Sequence, residues 1–320
     1  MNILLTGGNG LIGTALYPRL LEKGYQVRMA LRRGTGQRSL NEADIFYFDA
    51  LDRETDWHRA LNGMDVVIHL AGQVPTLKNN NRKAFNEYVR VNFHGTDNLA
   101  RQAADAGIRR FVFISTIGVL GKSDRNNPLT ENSRVNPNND YARSKLKAEQ
   151  GLRQIEMNGG MEVVILRPPL VYGPNVRANF LRLMEFVYRG IPLPFAGIQN
   201  QRHFIALDNM VDVILTCIEH EAAAGKTFLV SDREYFATGE LIKKISRSMG
   251  RPERTFYFPI FLSRFLLTLM GKKDLYDKLW RSSRIDSRHI SDVLDWQPVT
   301  TLDSGIEQTV RWYLAEVNPN

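Results

Sequence analysis

The sequence predicts an α/β fold in which helices cover both faces of a parallel sheet. Over the first 170 residues, short apolar runs alternate with segments whose apolar residues recur at helical spacing. The runs are short and rich in Val, Ile and Phe, which favours strands over buried helices. They cover residues 2–7, 26–31, 44–49, 65–71, 110–115 and 162–168, with a later run at 226–232. Strands that alternate with helices pair in parallel, so we expect a doubly wound sheet.

The segments between the runs are predicted to be helices. Residues 12–24 and 94–107 carry apolar residues at helical spacing, and each segment ends at a glycine. After residue 170 the alternation weakens. Residues 174–190 predict a helix, 191–197 a proline-containing loop, and 235–320 mainly helices. This part of the chain is therefore expected to form a smaller, mainly helical lobe beside the sheet.

Composition and charge exclude several classes of protein. The single Cys217 rules out an intrachain disulfide and a cysteine-based zinc site, so we predict no metal. The net charge of +8 comes from dispersed residues, which predicts a solvated surface and no nucleic-acid partner. No run of about 18 apolar residues exists. The apolar stretch 258–272 is interpreted as a buried helix of the small lobe, with a membrane-surface helix as the alternative. We expect a cytoplasmic protein without stable membrane insertion.

A glycine-rich turn follows the first predicted strand and opens the first helix. In LLTGGNGLIG, Gly7 permits a tight turn, Gly10 lets the backbone approach a pyrophosphate, and Gly13 allows close packing of helix on strand. The amides at the start of the helix, near Leu11 and Ile12, then face the anion. The sequence therefore predicts a Rossmann-type dinucleotide site.

Two arginines close the second predicted strand. A site for NAD usually places a carboxylate here to bind the ribose 2′-hydroxyl. Arg32 and Arg33 stand there instead, and guanidinium groups suit a 2′-phosphate. NADP (as NADPH) is therefore the favoured cofactor, and NAD is the alternative.

A tyrosine and a lysine four residues apart predict proton-transfer chemistry. Tyr141 and Lys145 share one face of a predicted helix. A free tyrosine has a pKa of about 10, and a nearby ammonium favours the phenolate. This pair can exchange a proton with a substrate hydroxyl while hydride moves to or from a cofactor.

These motifs together resemble a known enzyme family. TGGNGLIG, HLAG (69–72), FISTIGVLG (113–121) and NNDYARSKLKAEQ (138–150) resemble the extended branch of the short-chain dehydrogenase/reductase superfamily, the NAD-dependent epimerase/dehydratase family. The resemblance covers nearly the whole chain. It implies that Thr116 is the third catalytic residue beside Tyr141 and Lys145, with Ser115 before it. It also implies a homodimer.

The resemblance implies further contacts to the cofactor. Asp49 matches a residue that contacts adenine, and Asn92 matches an asparagine with a structural or proton-relay role. Pro168 and Val171 match positions beside the nicotinamide. The cofactor-binding residues that we predict are Gly7, Gly10, Leu11, Ile12, Gly13, Arg32, Arg33, Asp49, Ala50, Leu70, Ala71, Gly72, Asn92, Ser115, Tyr141, Lys145, Pro168 and Val171.

A UDP-sugar substrate is implied by the stretch NQRHFIALDNMVDVI. It resembles the family motif R-D-F-x-x-V-D-D-x-A, in which the arginine binds the nucleotide diphosphate. Arg202 takes that position, and His203 replaces the usual aspartate. The predicted substrate-binding residues are Gln73, Thr116, Ile117, Asn179, Arg182 and Arg202. Residues 1–170 with 203–232 are expected to bind the cofactor, and 171–202 with 233–320 the substrate.

The residues after Thr116 narrow the reaction. Sugar-nucleotide dehydratases of this family carry Asp-Glu there for the elimination of water. Ile117 and Gly118 cannot transfer protons, which disfavours the dehydratases. The resemblance then favours a reductase that converts a UDP-4-keto-6-deoxy-N-acetylhexosamine by hydride transfer at C4, in surface polysaccharide biosynthesis. The alternative is a 4-epimerase for UDP-hexose or UDP-N-acetylhexosamine that retains NAD.

Two hypotheses that assign other functions to the chain stay open. A non-catalytic NADP-binding sensor or assembly protein would usually lack the tyrosine or the lysine, and this chain keeps both. Reduction of a steroid-like or flavonol-like ketone would leave Arg202 without a role.

Overall fold

The computed structural model describes residues 1–34, 44–75, 82–121, 123, 127–137, 139–269, 280 and 282–318. Each apolar run predicted as a strand forms one. In chain order the strands are β1 (Asn2–Thr6), β2 (Gln26–Arg32), β3 (Asp44–Phe48), β4 (Val66–His69), β5 (Arg110–Ile114), β6 (Glu162–Arg167), β7 (Leu170–Tyr172), β8 (Leu193–Ala196), β9 (Arg202–Ala206), β10 (Thr227–Leu229), β11 (Tyr235–Phe236) and β12 (Thr255–Tyr257).

Seven strands form one parallel sheet in the order β10-β6-β5-β4-β1-β2-β3. The chain leaves β1 toward β2 on one side and later returns to β4 on the other. Ligands of such open sheets bind at the carboxyl ends of the strands where the order reverses. The end of β1, followed by the glycine turn, lies at that position.

Helices cover both faces of the sheet. The α-helices of the described residues are α1 (Leu11–Glu22), α2 (His58–Leu61), α3 (Arg82–Tyr88), α4 (Thr96–Asp105), α5 (Asp140–Gly159), α6 (Ala178–Tyr188), α7 (Leu207–Glu219), α8 (Thr238–Ser248), α9 (Ile260–Leu269), α10 (Arg288–Leu294) and α11 (Leu302–Trp312). Of these, α6, α8 and α11 pack in the core of the small lobe. Because successive side chains of a strand point to opposite faces, Ile3 and Leu5 pack with α1 and α7, whereas Leu4 packs with α4 and α5. The doubly wound sheet is confirmed.

The smaller lobe is mainly helical, as predicted, and it also contains two small sheets. The three strands β11, β9 and β7 form one sheet, and β8 pairs with β12. The predicted loop 191–197 contains the strand β8, in which Leu193 and Phe195 are buried. The segment 203–232, predicted to return to the main sheet, is divided between the two parts of the molecule. His203 lies in β9 of the three-stranded sheet, and α7 and β10 are the parts that return.

Within the apolar stretch 258–272, residues Ile260–Leu269 form the helix α9, and residues 270–272 lie outside the described part of the chain. Phe261 and Leu269 are 75% and 69% exposed, so the expectation of burial is wrong for both side chains. Among the helices described, none has the length and apolar content needed to cross a bilayer.

Candidate active site

The glycine turn has a geometry that only glycine permits at two positions. Gly7 has φ +72°, and a Cβ there would lie 2.7 Å from the amide nitrogen of Ala71. A Cβ at Gly13 would lie 2.6 Å from the Cα of Gly8. The helix α1 then begins after Gly10 without a side-chain cap, so its first amides stay available to an anion. The turn therefore fits a pyrophosphate.

His69 at the end of β4 has a structural role. It is fully buried between the hydroxyls of Thr6 (2.7 Å from Nδ1) and Thr96 (2.9 Å from Nε2). Burial, and next the charge of Lys145, lower the pKa of His69 to about 3. The ring is therefore neutral at physiological pH and joins β1, β4 and α4 below the glycine turn.

The predicted adenosine-ribose contacts meet at the ends of β2 and β3. Arg33 forms an ion pair with Asp49 at 3.2 Å, and both side chains are exposed. The Arg33 guanidinium also lies 5.7 Å from the centre of the Tyr47 ring. Arg32 is exposed, and Ala50 accepts a hydrogen bond from the Thr55 hydroxyl at its carbonyl oxygen. The positive charge of Arg33 is thus partly balanced within the chain.

The helix α5 presents Tyr141 and Lys145. Asn139 caps this helix by accepting a hydrogen bond from the amide of Ala142 at 2.8 Å. Burial, and next the neighbouring Tyr88, raise the pKa of Tyr141 to about 12. The two tyrosine rings lie edge to face with centroids 6.0 Å apart. Tyr141 therefore needs a nearby positive charge to act as a base near neutral pH.

Lys145 is nearly buried, with 4% of its surface exposed. Its Nζ donates to the carbonyl oxygen of Ile114 at 2.8 Å and lies 4.4 Å from the centre of the Phe113 ring. Burial lowers the pKa of Lys145 to about 7, and Glu149 opposes this shift. The ammonium is thus held against β5 and titrates near physiological pH.

The segment after β5 carries Thr116. The Thr116 hydroxyl accepts a hydrogen bond from the amide of Gly118 at 3.1 Å. The amide of Ser115 donates to Leu166, and that of Ile117 donates to Pro168, at 2.8 and 2.9 Å. These bonds extend the pairing of β5 with β6 beyond the sheet, which brings Thr116 and Pro168 to the same edge.

Asn92 joins three parts of the site. It is fully buried, accepts a hydrogen bond from the Gln73 amide at 2.7 Å, and donates to the Gln73 carbonyl and the Ser144 hydroxyl, each at 3.0 Å. A Cβ at Gly72 would lie 3.1 Å from Asn92 Oδ1 and 3.5 Å from Lys145 Nζ. The backbone after β4 therefore passes beside both Asn92 and Lys145.

Arg202 lies in β9, in the small lobe. Its Nε is buried and makes no hydrogen bond within the part of the chain that is described, and burial lowers the pKa of Arg202 to about 10. Its guanidinium lies 5.7 Å from the centre of the Phe204 ring. By contrast, Asn179 and Arg182 are exposed on α6. A buried donor without a partner is costly, which suits Arg202 for an anionic ligand.

Sequence reasoning missed a second arginine near Arg202. The amide of Ser283 donates to the Gln201 carbonyl at 2.7 Å, which holds residues 282–284 along β9. The guanidinium of Arg284 lies 5.2 Å from the centre of the Tyr235 ring. More than 80 positions separate the two arginines in the chain, so no local motif joins them.

A cavity of about 510 Å³ lies elsewhere in the small lobe. Its walls come from β8, from one side of α8 along its length and from β12, and they include Lys243 and Arg247. No predicted site residue lines it, so this cavity is separate from the predicted catalytic residues.

The sheet, the glycine turn and the Tyr141–Lys145 helix define a nucleotide-dependent enzyme of the short-chain dehydrogenase/reductase class. The chain belongs to the NAD dependent epimerase/dehydratase family, whose model matches residues 3–231.

Named proteins are similar to this chain in sequence, and solved structures are similar to it in fold. It is 37% identical to a UDP-glucose 4-epimerase of Vibrio cholerae, over 99% of this chain and 97% of the relative. The UDP-glucuronic acid 4-epimerase of Bacillus cereus, solved with NAD, has a TM-score of 0.81 at 22% identity, covering 99% and 100% of the two chains. The UDP-glucose 4-epimerase of Thermotoga maritima, solved with UDP-glucose, gives the same values. These two structures support the fold.

Proposed function

We propose that this protein is a UDP-sugar 4-epimerase that retains NAD. The observation that carries the proposal is the near full-length similarity to the Vibrio cholerae UDP-glucose 4-epimerase. Ile117 and Gly118 agree with it, because inversion at C4 needs one proton shuttle and no second acid or base. The 4-ketoreductase favoured by the sequence has less support.

Tyr141 is the proposed proton shuttle. The chemistry that a bound nicotinamide ring supplies is acceptance of hydride from C4 and its return to the opposite face. Tyr141 accepts the proton of the C4 hydroxyl and later gives it back, Lys145 stabilises the phenolate with its ammonium, and Thr116 donates a hydrogen bond to the reacting oxygen. The raised pKa of Tyr141 makes the charge of Lys145 necessary.

NAD is the proposed cofactor. The Asp49 carboxylate, 3.2 Å from the Arg33 guanidinium, lowers the net positive charge that would attract a 2′-phosphate. Gly7, Gly10 and Gly13 supply the pyrophosphate turn, and Asn92 fixes the backbone at Gly72 and Gln73. The other cofactor contacts predicted from the sequence stay part of this proposal.

The small lobe is proposed to bind the UDP group. Arg202, with its buried Nε, would bind the diphosphate. Residues 1–170 and 203–232 would then hold the cofactor, and 171–202 with 233–320 the substrate. Asn179 and Arg182 are exposed on α6 and are proposed to form the outer rim of this site.

We also propose a homodimer through α4 and α5.

The test is incubation of purified protein with UDP-glucose, UDP-N-acetylglucosamine and UDP-glucuronic acid, without added reductant. The proposal expects C4 inversion of at least one of them, seen by NMR, and NAD in the denatured protein. Failure to invert any of the three would overturn it.

The second candidate is the 4-ketoreductase, which Arg32 and Arg33 favour because two guanidiniums suit NADPH. It predicts oxidation of NADPH on addition of a UDP-4-keto-6-deoxy-N-acetylhexosamine. It also predicts that replacing both arginines weakens NADPH binding at least tenfold and leaves NADH binding unchanged. The epimerase proposal predicts neither result.

A further inference from the structure

Three side chains form a buried polar cluster beneath the catalytic residues. Glu149 accepts two hydrogen bonds from Arg167, at 3.0 Å from Nε and 2.6 Å from Nη2, and a third from the Ser115 hydroxyl. Glu149, Arg167 and Ser115 are 3%, 8% and 3% exposed. A buried ion pair costs desolvation and adds little net stability, so its position in this molecule calls for another reason.

The cluster connects three segments that carry proposed site residues. Ser115 immediately precedes Thr116, and Arg167 immediately precedes Pro168. Glu149 follows Lys145 by four residues on α5, which places both side chains on one face of the helix. The carboxylate of Glu149 thus ties α5 to the ends of β5 and β6.

The charges around Lys145 come from few groups. From β4, His69 faces it in the neutral state. From the π-helical segment Val89–Gly95, Asn92 contributes an uncharged amide. Tyr141 on α5 is protonated in the absence of a ligand, because its pKa is raised. The described charged groups that bear on Lys145 therefore include the Glu149 carboxylate on α5 and, bonded to it from β6, the Arg167 guanidinium, whose positive charge acts in the opposite direction.

We propose that Glu149 is a positioning residue that keeps Lys145 protonated and fixes Thr116 and Pro168 through Ser115 and Arg167. The inference rests on the proposed function for the role of Lys145. The effect of the Glu149 charge on the Lys145 ammonium is a property of the folded protein and does not depend on catalytic turnover. Burial disfavours the ammonium of Lys145, and Glu149 opposes that effect.

The direct test measures the protonation of Lys145 itself. Protein labelled with [6-13C]lysine is titrated by NMR, and the Lys145 signal is assigned by its loss in Lys145→Met. We expect Glu149→Gln to lower the Lys145 midpoint by at least one pH unit, which is a tenfold loss of ammonium at higher pH. Glu149→Asp keeps the charge and should move the midpoint by less than half a unit.

Glu156→Gln is the matched control. Glu156 lies two turns further along α5 and pairs with Arg153 at 2.6 Å, away from Lys145. It should leave the midpoint unchanged. If Glu149→Gln does not fold, the double variant Glu149→Met/Arg167→Met removes the pair without leaving a buried charge. Because the opposing charge of Arg167 is removed as well, a fall of less than one pH unit is expected. An unchanged midpoint in the folded variant would overturn the proposal.

Activity provides a second readout that separates the two proposals. In an active epimerase, Glu149→Gln should move the alkaline limb of the kcat profile to lower pH, whereas Glu156→Gln should not. A shifted NMR midpoint in a protein that inverts no UDP-sugar would retain the electrostatic role of Glu149 and reject the proposed function.

Discussion

At the scale of single residues, the account depends on Tyr141. Tyr141→Phe removes the hydroxyl that exchanges the proton and should lower kcat by about 10²–10⁴-fold. Dinucleotide binding, measured by calorimetry, should stay within threefold of the wild type. Tyr25→Phe is the control, because Tyr25 is hydrogen-bonded to Glu219 away from the site. Retained activity in Tyr141→Phe would show that another group moves the proton.

His69 predicts how stability depends on pH. Its pKa is about 3 in the folded protein and 6.5 when unperturbed. Between these values the unfolded chain binds the extra proton, so the His69 contribution is present above pH 6.5 and is lost as the pH falls toward 3. The loss is at most about 1.4 kcal/mol per pH unit.

The measurement for His69 is denaturant unfolding of wild type and His69→Gln from pH 4 to pH 8. The wild type should lose more stability on acidification than the variant. Parallel pH curves for the two proteins would contradict the assigned burial of a neutral ring.

At the scale of secondary structure, the unit of β1, the glycine turn and α1 requires a residue without a side chain at Gly13. Gly13→Ala would place a methyl group 2.6 Å from the Cα of Gly8. The turn must move, which should lower Tm and weaken dinucleotide binding at least tenfold. Gly159→Ala is the control, because a Cβ there meets no atom within 4 Å. Equal binding by the two variants would contradict the tight turn.

The elements of the main sheet were predictable because their signals are local. An apolar run, a glycine turn and a helical pattern follow one another within 30 residues from β1 to β2. The strand β8 was not predictable, because two prolines suggest a loop and its partner β12 lies 60 residues later. Arg284 and the Ser115–Glu149–Arg167 cluster were missed for the same reason, since distant segments meet only after folding.

At the scale of the whole molecule, the part that contains the main sheet is expected to bind NAD, and the small lobe is expected to bind the UDP-sugar. Arg202→Leu should raise KM for the UDP-sugar at least tenfold, because the buried guanidinium is proposed to bind the diphosphate. NAD content should not change. Arg182→Leu, on the exposed face of α6, should change KM by less than threefold. A larger rise in KM for Arg182→Leu than for Arg202→Leu would instead place the diphosphate site on α6.

The most direct test of the central claim is the conversion of UDP-glucose in D₂O, followed by NMR. The account predicts UDP-galactose that keeps hydrogen at C4, because hydride leaves and returns without exchange with solvent. Deuterium at C4 of the product would contradict it. So would a protein that inverts none of UDP-glucose, UDP-N-acetylglucosamine and UDP-glucuronic acid while it reduces a 4-keto sugar with NADPH.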